Sequence, residues 1–68
     1  MLKKLHNLRK EKGYTVDYMA NILNLSRTFY WQVEHGDRRL SYITAINIAK
    51  VFNLKPDDLF YDDFNTDS

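Results

Sequence analysis

Apolar residues recur along this chain at spacings of three and four rather than two, a rhythm that predicts helices. Leu2, Leu5 and Leu8 lead, with Lys3, Lys4, Arg9, Lys10 and Lys12 between and after them, and Gly13 stands where a helix commonly closes. That spacing predicts a first helix over 2–12. Thr15 suits an N-cap, and Val16, Met19, Ala20 and Leu23 follow at i, i+3, i+4 and i+7, the apolar face of a second helix over about 15–23. Asn24 tolerates the left-handed backbone that ends it. Ser26 offers a new N-cap, Tyr30 and Val33 form the inward pair of a third helix over about 26–34, and Gly36 can close it. Ser41 caps a fourth, with Ala45, Ile48, Ala49 and Phe52 on its inner face and Asn53 at its end. Pro56 suits a first helical position, and Asp57 and Asp58 favour the start of a short fifth helix through about Tyr61. The pattern predicts an all-α chain: five short helices in one compact domain over 1–61, then a short acidic tail over 62–68.

Size makes this a demanding fold. A 68-residue chain of 8.2 kDa buries only about 60% of its unfolded surface. It has no cysteine for a disulfide and only two histidines, so a structural zinc site also lacks ligands. Helix packing, oligomerisation or both must supply the stability. Apolar content of 44% with ten aromatics belongs to a folded chain. No apolar run approaches the roughly 20 residues of a membrane span, and no signal peptide follows the N-terminal lysines. These features predict a soluble, cytoplasmic protein. There is no nucleophile–base pair, metal cluster or phosphate loop, so neither an enzyme nor a cofactor is expected.

The net charge of +1 conceals a split. Residues 1–55 hold all ten basic residues and four acids, a net of +6, whereas residues 56–68 hold five acids and no base, a net of −5. Such asymmetry suits a nucleic-acid surface with an acidic end; it equally suits a solvated surface with a chance cluster of Asp.

The most informative segment is 16–35, VDYMANILNLSRTFYWQVEH. One helix ends, a turn of about three residues intervenes, and another starts at once. Small Ala20 lets the two cross closely, and Met19, Leu23, Leu25, Tyr30 and Val33 fix the crossing. This is the logic of a helix-turn-helix, whose second helix can enter the DNA major groove.

From about Leu5 to Phe60 the chain resembles the Xre family, the lambda-repressor and Cro type of helix-turn-helix protein. LRKEKGYT at 8–15, MANILNLSR at 19–27, VEHGDRRLS at 33–41 and AINIAKVFNLKPDDLF at 45–60 carry the resemblance by their order and spacing. It implies five helices, sequence-specific binding to double-stranded DNA, and a homodimer on a palindromic operator, as in bacterial or phage repressors acting at the nucleoid or in an infected host. Four departures stand out. Val16 replaces the Gln that usually braces a phosphate, Asn24 the turn Gly, Tyr30 an inward Ile or Val, and Asp37 a Lys or Arg after the loop Gly. The Tyr30 hydroxyl then needs a partner or a route to water.

Position by position, the resemblance implies base reading by Arg27, Thr28 and Gln32, whose side chains suit guanine, a thymine methyl and adenine. Phe29 and Trp31 are further DNA-contact candidates; Trp31 packs either on sugar or a base methyl, or over neighbouring core. Phosphate contacts are expected from Thr15, Ser26, Arg38, Arg39 and backbone amides near His35 and Gly36. Arg9 and Glu34 match a structural ion pair joining helix 1 to the end of helix 3. His6 falls on a polar helix face and is expected to be solvated. Phe60, Tyr61 and Phe64 are more apolar surface than a short tail keeps wet; the resemblance implies a dimer interface there, the alternative being that all three fold back on their own domain. The second functional reading is a protein-interaction module, antirepressor or antitoxin-like, on the same fold; Val16, Asp37, Tyr18 and Ile22 speak for it. The sequence identifies no inducer or protein partner.

Overall fold

Four residues with positive φ cut the chain into its helices: Gly13 at 75°, Asn24 at 59°, Gly36 at 82° and Asn53 at 58°. In the computed structural model, which describes the backbone of residues 1–65 and the side chains through Tyr61, five helices lie between and beyond these breaks. They are α1 (Lys3–Glu11), α2 (Val16–Ile22), α3 (Arg27–His35), α4 (Tyr42–Val51) and α5 (Pro56–Asn65). The fold is all-α, as the spacing predicts, with no strand among the described residues.

The starts of the helices follow from side-chain oxygens. Thr15, Ser26 and Ser41 each accept a hydrogen bond from the amide three residues on, at Tyr18, Phe29 and Thr44, at 2.9, 3.0 and 3.1 Å. Each such cap contributes about 1 kcal/mol by satisfying a donor that the helix leaves unpaired. Pro56 opens α5, and the Asp58 carboxylate accepts from the Lys55 amide at 3.0 Å. This helix runs on to Asn65, beyond the expected end near Tyr61. Its helical geometry breaks at Phe60, where φ is −121° and ψ is 15°.

Leu5 from α1, Met19 and Ala20 from α2, Tyr30 and Val33 from α3, Ala45 and Ile48 from α4, and Leu59 and Phe60 from α5 form one buried cluster. Within it α2 packs on α3, and α5 packs on both α4 and α1. Phe60 corrects an expectation: it is fully buried in the chain's own core and is not presented to a partner. The break in α5 falls at the residue whose ring is enclosed. Tyr61, the next residue, is exposed, and the Phe64 side chain lies outside the described residues.

At the centre sits a buried charge. Glu34 is 0% exposed, and its carboxylate collects four donors. Arg9 Nε and the Tyr30 hydroxyl donate to Oε1 at 2.9 and 2.6 Å, while Arg9 Nη2 and His6 Nδ1 reach Oε2 at 3.1 and 2.7 Å. Arg9 and Glu34 thus meet in a two-pronged pair between α1 and α3. His6 belongs to the same hub, which corrects the expectation of a solvated ring: one turn before Arg9, its edge is carried to the same carboxylate. Arg9 Nη1 also donates to the Tyr14 carbonyl at 2.7 Å, and the Leu2 amide donates to the Glu34 carbonyl at 2.9 Å. No buried side-chain nitrogen or oxygen lacks a partner among the described residues. Burial alone would raise the Glu34 pKa, but the hydrogen bonds from Arg9, Tyr30 and His6 outweigh it and hold the carboxyl below its ordinary value. Burial and the bond to Glu34 push the Tyr30 phenol well above its own.

Glu34→Ala strands the Arg9 guanidinium and the Tyr30 hydroxyl, and is expected to cost about 3–5 kcal/mol. In a domain of this size that lowers the melting temperature by well over 10 °C, at roughly 4–8 °C per kcal/mol; a melting temperature equal to the parent's refutes the role. The same carboxylate predicts a pH response. Because its native pKa lies below the unfolded one, its contribution is complete above the ordinary carboxylate range, about pH 4.3. It is lost as pH falls through the native value. Urea unfolding at pH 7 and pH 3 should show a larger loss of stability for the parent than for Glu34→Gln, which has no proton to take up there.

Candidate functional site

With Tyr30, Val33 and Glu34 turned inward, the helical period leaves Arg27, Thr28 and Trp31 exposed on α3 and Phe29, Gln32 and His35 half-buried along its flanks. The turn before α3 fixes this presentation. The Leu25 amide donates to the Ala20 carbonyl at 2.8 Å, Asn24 takes the left-handed conformation, and Ser26 caps α3. Ala20, only 3% exposed, is small enough for α2 and α3 to close upon each other.

The polar groups of this face are already organised. Arg27 pairs through Nε with Asp17 Oδ1 on α2, both side chains being about two-thirds or more exposed. Arg38, two residues past the α3 cap, does not extend away from the helix. Its guanidinium carbon lies 4.5 Å from the centre of the Phe29 ring, and its Nε and Nη2 donate to Gln32 Oε1 at 3.2 and 3.1 Å. A guanidinium has only donors, so the group facing it is the glutamine carbonyl and the amide nitrogen points elsewhere. Trp31 stacks on His35 with ring centroids 3.9 Å apart, and His35 Nδ1 lies 2.9 Å from the Trp31 carbonyl. A carbonyl only accepts, so Nδ1 carries the hydrogen and Nε2 remains as the other polar edge. Trp31 is 40% exposed and lies along the helix surface rather than over the core.

Among the residues expected at phosphate contacts, the placements differ. Thr15 and Ser26 are exposed at the starts of α2 and α3; each oxygen accepts from an amide and keeps its hydroxyl proton for another acceptor. Arg38 and Arg39 are both exposed, and Arg38 also contacts Gln32 and Phe29. The amides after His35 turn inward. Gly36 N–H donates to the Val33 carbonyl at 3.2 Å and Asp37 N–H to the Gln32 carbonyl at 2.8 Å, which closes α3. Gly36 earns its place twice, through its positive φ and because a Cβ there would stand 3.4 Å from the Met1 nitrogen. No group of three metal-ligating side chains occurs among the described residues, and none of their helices is long and apolar enough to cross a membrane.

Three of these contacts escape sequence reasoning. His6 and Glu34 are 28 residues apart, and nothing in the helix-1 pattern marks one polar position as facing inward. Arg38 reaches Gln32 only because the left-handed Gly36 turns the chain back. Asp17 and Arg27 meet only at the helix crossing. The Tyr30–Glu34 bond alone carries a local signal, the i, i+4 spacing.

Comparison with known proteins agrees with this architecture. A family model described as helix-turn-helix matches residues 5–59. The uncharacterized HTH-type transcriptional regulator YgzD of Bacillus subtilis is 30% identical over 61 residues, covering 90% of this chain and 92% of that protein. AnsR, an HTH-type transcriptional regulator of the same organism, is 33% identical over 58 residues, covering 85% of this chain and 50% of its own. A putative HTH-type transcriptional regulatory protein of Pyrococcus horikoshii is 37% identical over 60 residues, 84% of this chain but 19% of that longer protein. The chain therefore spans less than a fifth of the Pyrococcus relatives. No solved structure gives a significant match.

The Asp17–Arg27 pair lies in water, and exposed pairs contribute about 0–1 kcal/mol. Asp17→Asn is therefore expected to leave the melting temperature within a few degrees of the parent's. A loss as large as that of Glu34→Ala would show that the pair belongs to the fold's support and not to its exposed face.

Proposed function

The chain belongs to the helix-turn-helix family, and from that premise we propose that it is a sequence-specific regulator of transcription that binds double-stranded DNA through α3. The observation that carries the reading is the outer side of α3. Exposed Arg27 and Thr28 and half-buried Gln32 stand together on a helix capped by Ser26 and fixed from behind by the buried Arg9–Glu34 pair. A major groove about 12 Å wide admits such a helix, and these three side chains have the donors, acceptor and methyl group that distinguish base edges. Phe29 and Trp31 flank them. Thr15, Ser26 and Arg39 supply phosphate contacts from the ends of α2 and α3 and from the loop, fixing register without reading sequence.

The active species is a homodimer, whose paired α3 helices read a palindrome with half-sites about 34 Å apart. Tyr61, 60% exposed on α5, is the proposed contact between protomers; the Phe64 side chain, expected beside it, lies outside the described residues. Residues 1–61 form the reading domain and 62–68 an acidic tail. Occupying an operator blocks transcription, which makes the protein a cytoplasmic repressor without catalytic activity or cofactor.

Selection of bound duplexes from a random pool tests this directly, and the expected product is a short palindrome. Its affinity should fall steeply with salt as phosphate contacts release counterions. Gln32→Ala should cost about 1–3 kcal/mol at one base pair of each half-site and leave the other positions unchanged. A salt-insensitive interaction with no sequence preference, or a stable protein complex that survives loss of Arg27 and Gln32, favours the protein-interaction reading instead. Solution mass tests the dimer, which Tyr61→Lys should shift toward monomer.

A further inference from the structure

The sequence pairs Gln32 with adenine, because a glutamine amide can donate to N7 and accept from the N6 amino group at once. The structure removes half of that pair. Gln32 Oε1 accepts from both Nε and Nη2 of Arg38, at 3.2 and 3.1 Å, so the carbonyl end of the amide is turned toward one guanidinium. The guanidinium is in turn held on the far side by the Phe29 ring, 4.5 Å below its carbon. Three contacts thus hold Arg38: two hydrogen bonds to a single oxygen and an aromatic face. What Gln32 still offers outward is its Nε2 amino group, which only donates.

From this geometry, and resting on the reading of α3 as the DNA-contacting helix, we propose that Arg38 is a specificity-positioning residue that makes Gln32 a donor-only reader and directs it to guanine. In the major groove guanine presents two acceptors, O6 and N7, side by side. Adenine presents one acceptor beside an amino group that would face no acceptor on Gln32, and cytosine presents only a donor. Arg38 acts through Gln32 and is distinct from Arg39, which has the ordinary part of an exposed cation near phosphate. Phe29 belongs to the same unit: its ring lies under the guanidinium, 4.5 Å from its carbon.

The test uses the full chain and duplexes selected from a random pool. Gln32→Ala first identifies the half-site position that this side chain reads, as the one whose base preference disappears. The parent is expected to require guanine there. Adenine at that position should weaken binding by roughly 5- to 150-fold, the range of one good pair, and 7-deazaguanine, which lacks N7, should weaken it as well. Inosine should bind as guanine does, since only the minor-groove amino group is missing. Arg38→Met keeps an unbranched stem and removes the donors; it should move the preference at this position toward adenine while the other positions keep theirs. A parent preference for any base other than guanine overturns the proposal and leaves DNA reading intact. So does an Arg38→Met protein that keeps the guanine preference and merely binds all sequences more weakly, as loss of a phosphate contact would give. If Arg38→Met binds no duplex measurably, the parent's response to adenine and 7-deazaguanine still decides. Failure to enrich any sequence at all is a different result, overturning the reading of α3 itself and this inference with it.

Discussion

An ionised carboxylate in a wholly buried position constrains everything around it. Bringing Glu34 out of water costs several kcal/mol, and only a full set of donors in good geometry offsets that. Hydrophobic burial is without direction; nine apolar side chains meeting in a small core leave α1 and α3 free to slide or rotate by a fraction of a turn. The hub removes that freedom. Oε1 and Oε2 are each saturated by two donors, drawn from Arg9 and His6 on α1 and Tyr30 on α3 itself. The third arm of Arg9 fastens the α1–α2 loop at Tyr14. One residue thereby fixes the position of α1, the start of α2 and the rotation of α3.

Rotation of α3 is the link from stability to surface. Tyr30 and Glu34 are one turn apart and must both face the hub, so residues 27, 28 and 31 are left outside by helical geometry alone. The substitution of tyrosine for an aliphatic residue belongs to the same arrangement. Its ring fills the core, and its hydroxyl supplies the fourth donor that the carboxylate accepts. A phenol whose own pKa is driven up by burial and by Glu34 stays protonated through any ordinary pH and is therefore a permanent donor.

The local rules of backbone and cap were legible in the sequence, since each depends on one or two adjacent residues. Gly13, Asn24, Gly36 and Asn53 mark helix ends because few other residues accept positive φ, and Thr15, Ser26 and Ser41 mark starts because their oxygens pair with an amide three residues on. The Arg9–Glu34 pairing was legible only through family resemblance. What could not be read were contacts made by folding itself. Nothing local distinguishes Phe60 from Tyr61 as the buried ring; a break in helical geometry at Phe60 decides it, and that break answers to packing. His6 likewise looks like one more polar residue between lysines until α3 is laid across it. Arg38 has the sequence appearance of a loop cation, and only the path of the chain through Gly36 returns it to Gln32.

These unseen contacts alter how the α3 face works. Arg27 is balanced by Asp17 and the loop carries Asp37 beside Arg38, so the face is close to electrically neutral even though residues 1–55 carry a net +6. The excess positive charge lies largely elsewhere, on the exposed Lys3, Lys4, Lys10 and Lys12 of α1 and its following turn and on Arg39. Long-range attraction to a polyanion depends on summed charge and falls off with salt. Discrimination among base edges depends on where single donors point. On the proposed reading, the two are separated: the α3 face carries little net charge, and the excess lies mainly on α1. The two arginines also differ in how readily they change partners. The Asp17–Arg27 pair is exposed and weak, so an approaching acceptor can replace Asp17 at little cost. Arg38 is braced by a ring and two hydrogen bonds to one oxygen, and moving it would give up all three. On this face Arg27 has one exposed ion-pair partner, whereas Arg38 has two hydrogen bonds and a ring, so Arg27 changes partners more readily.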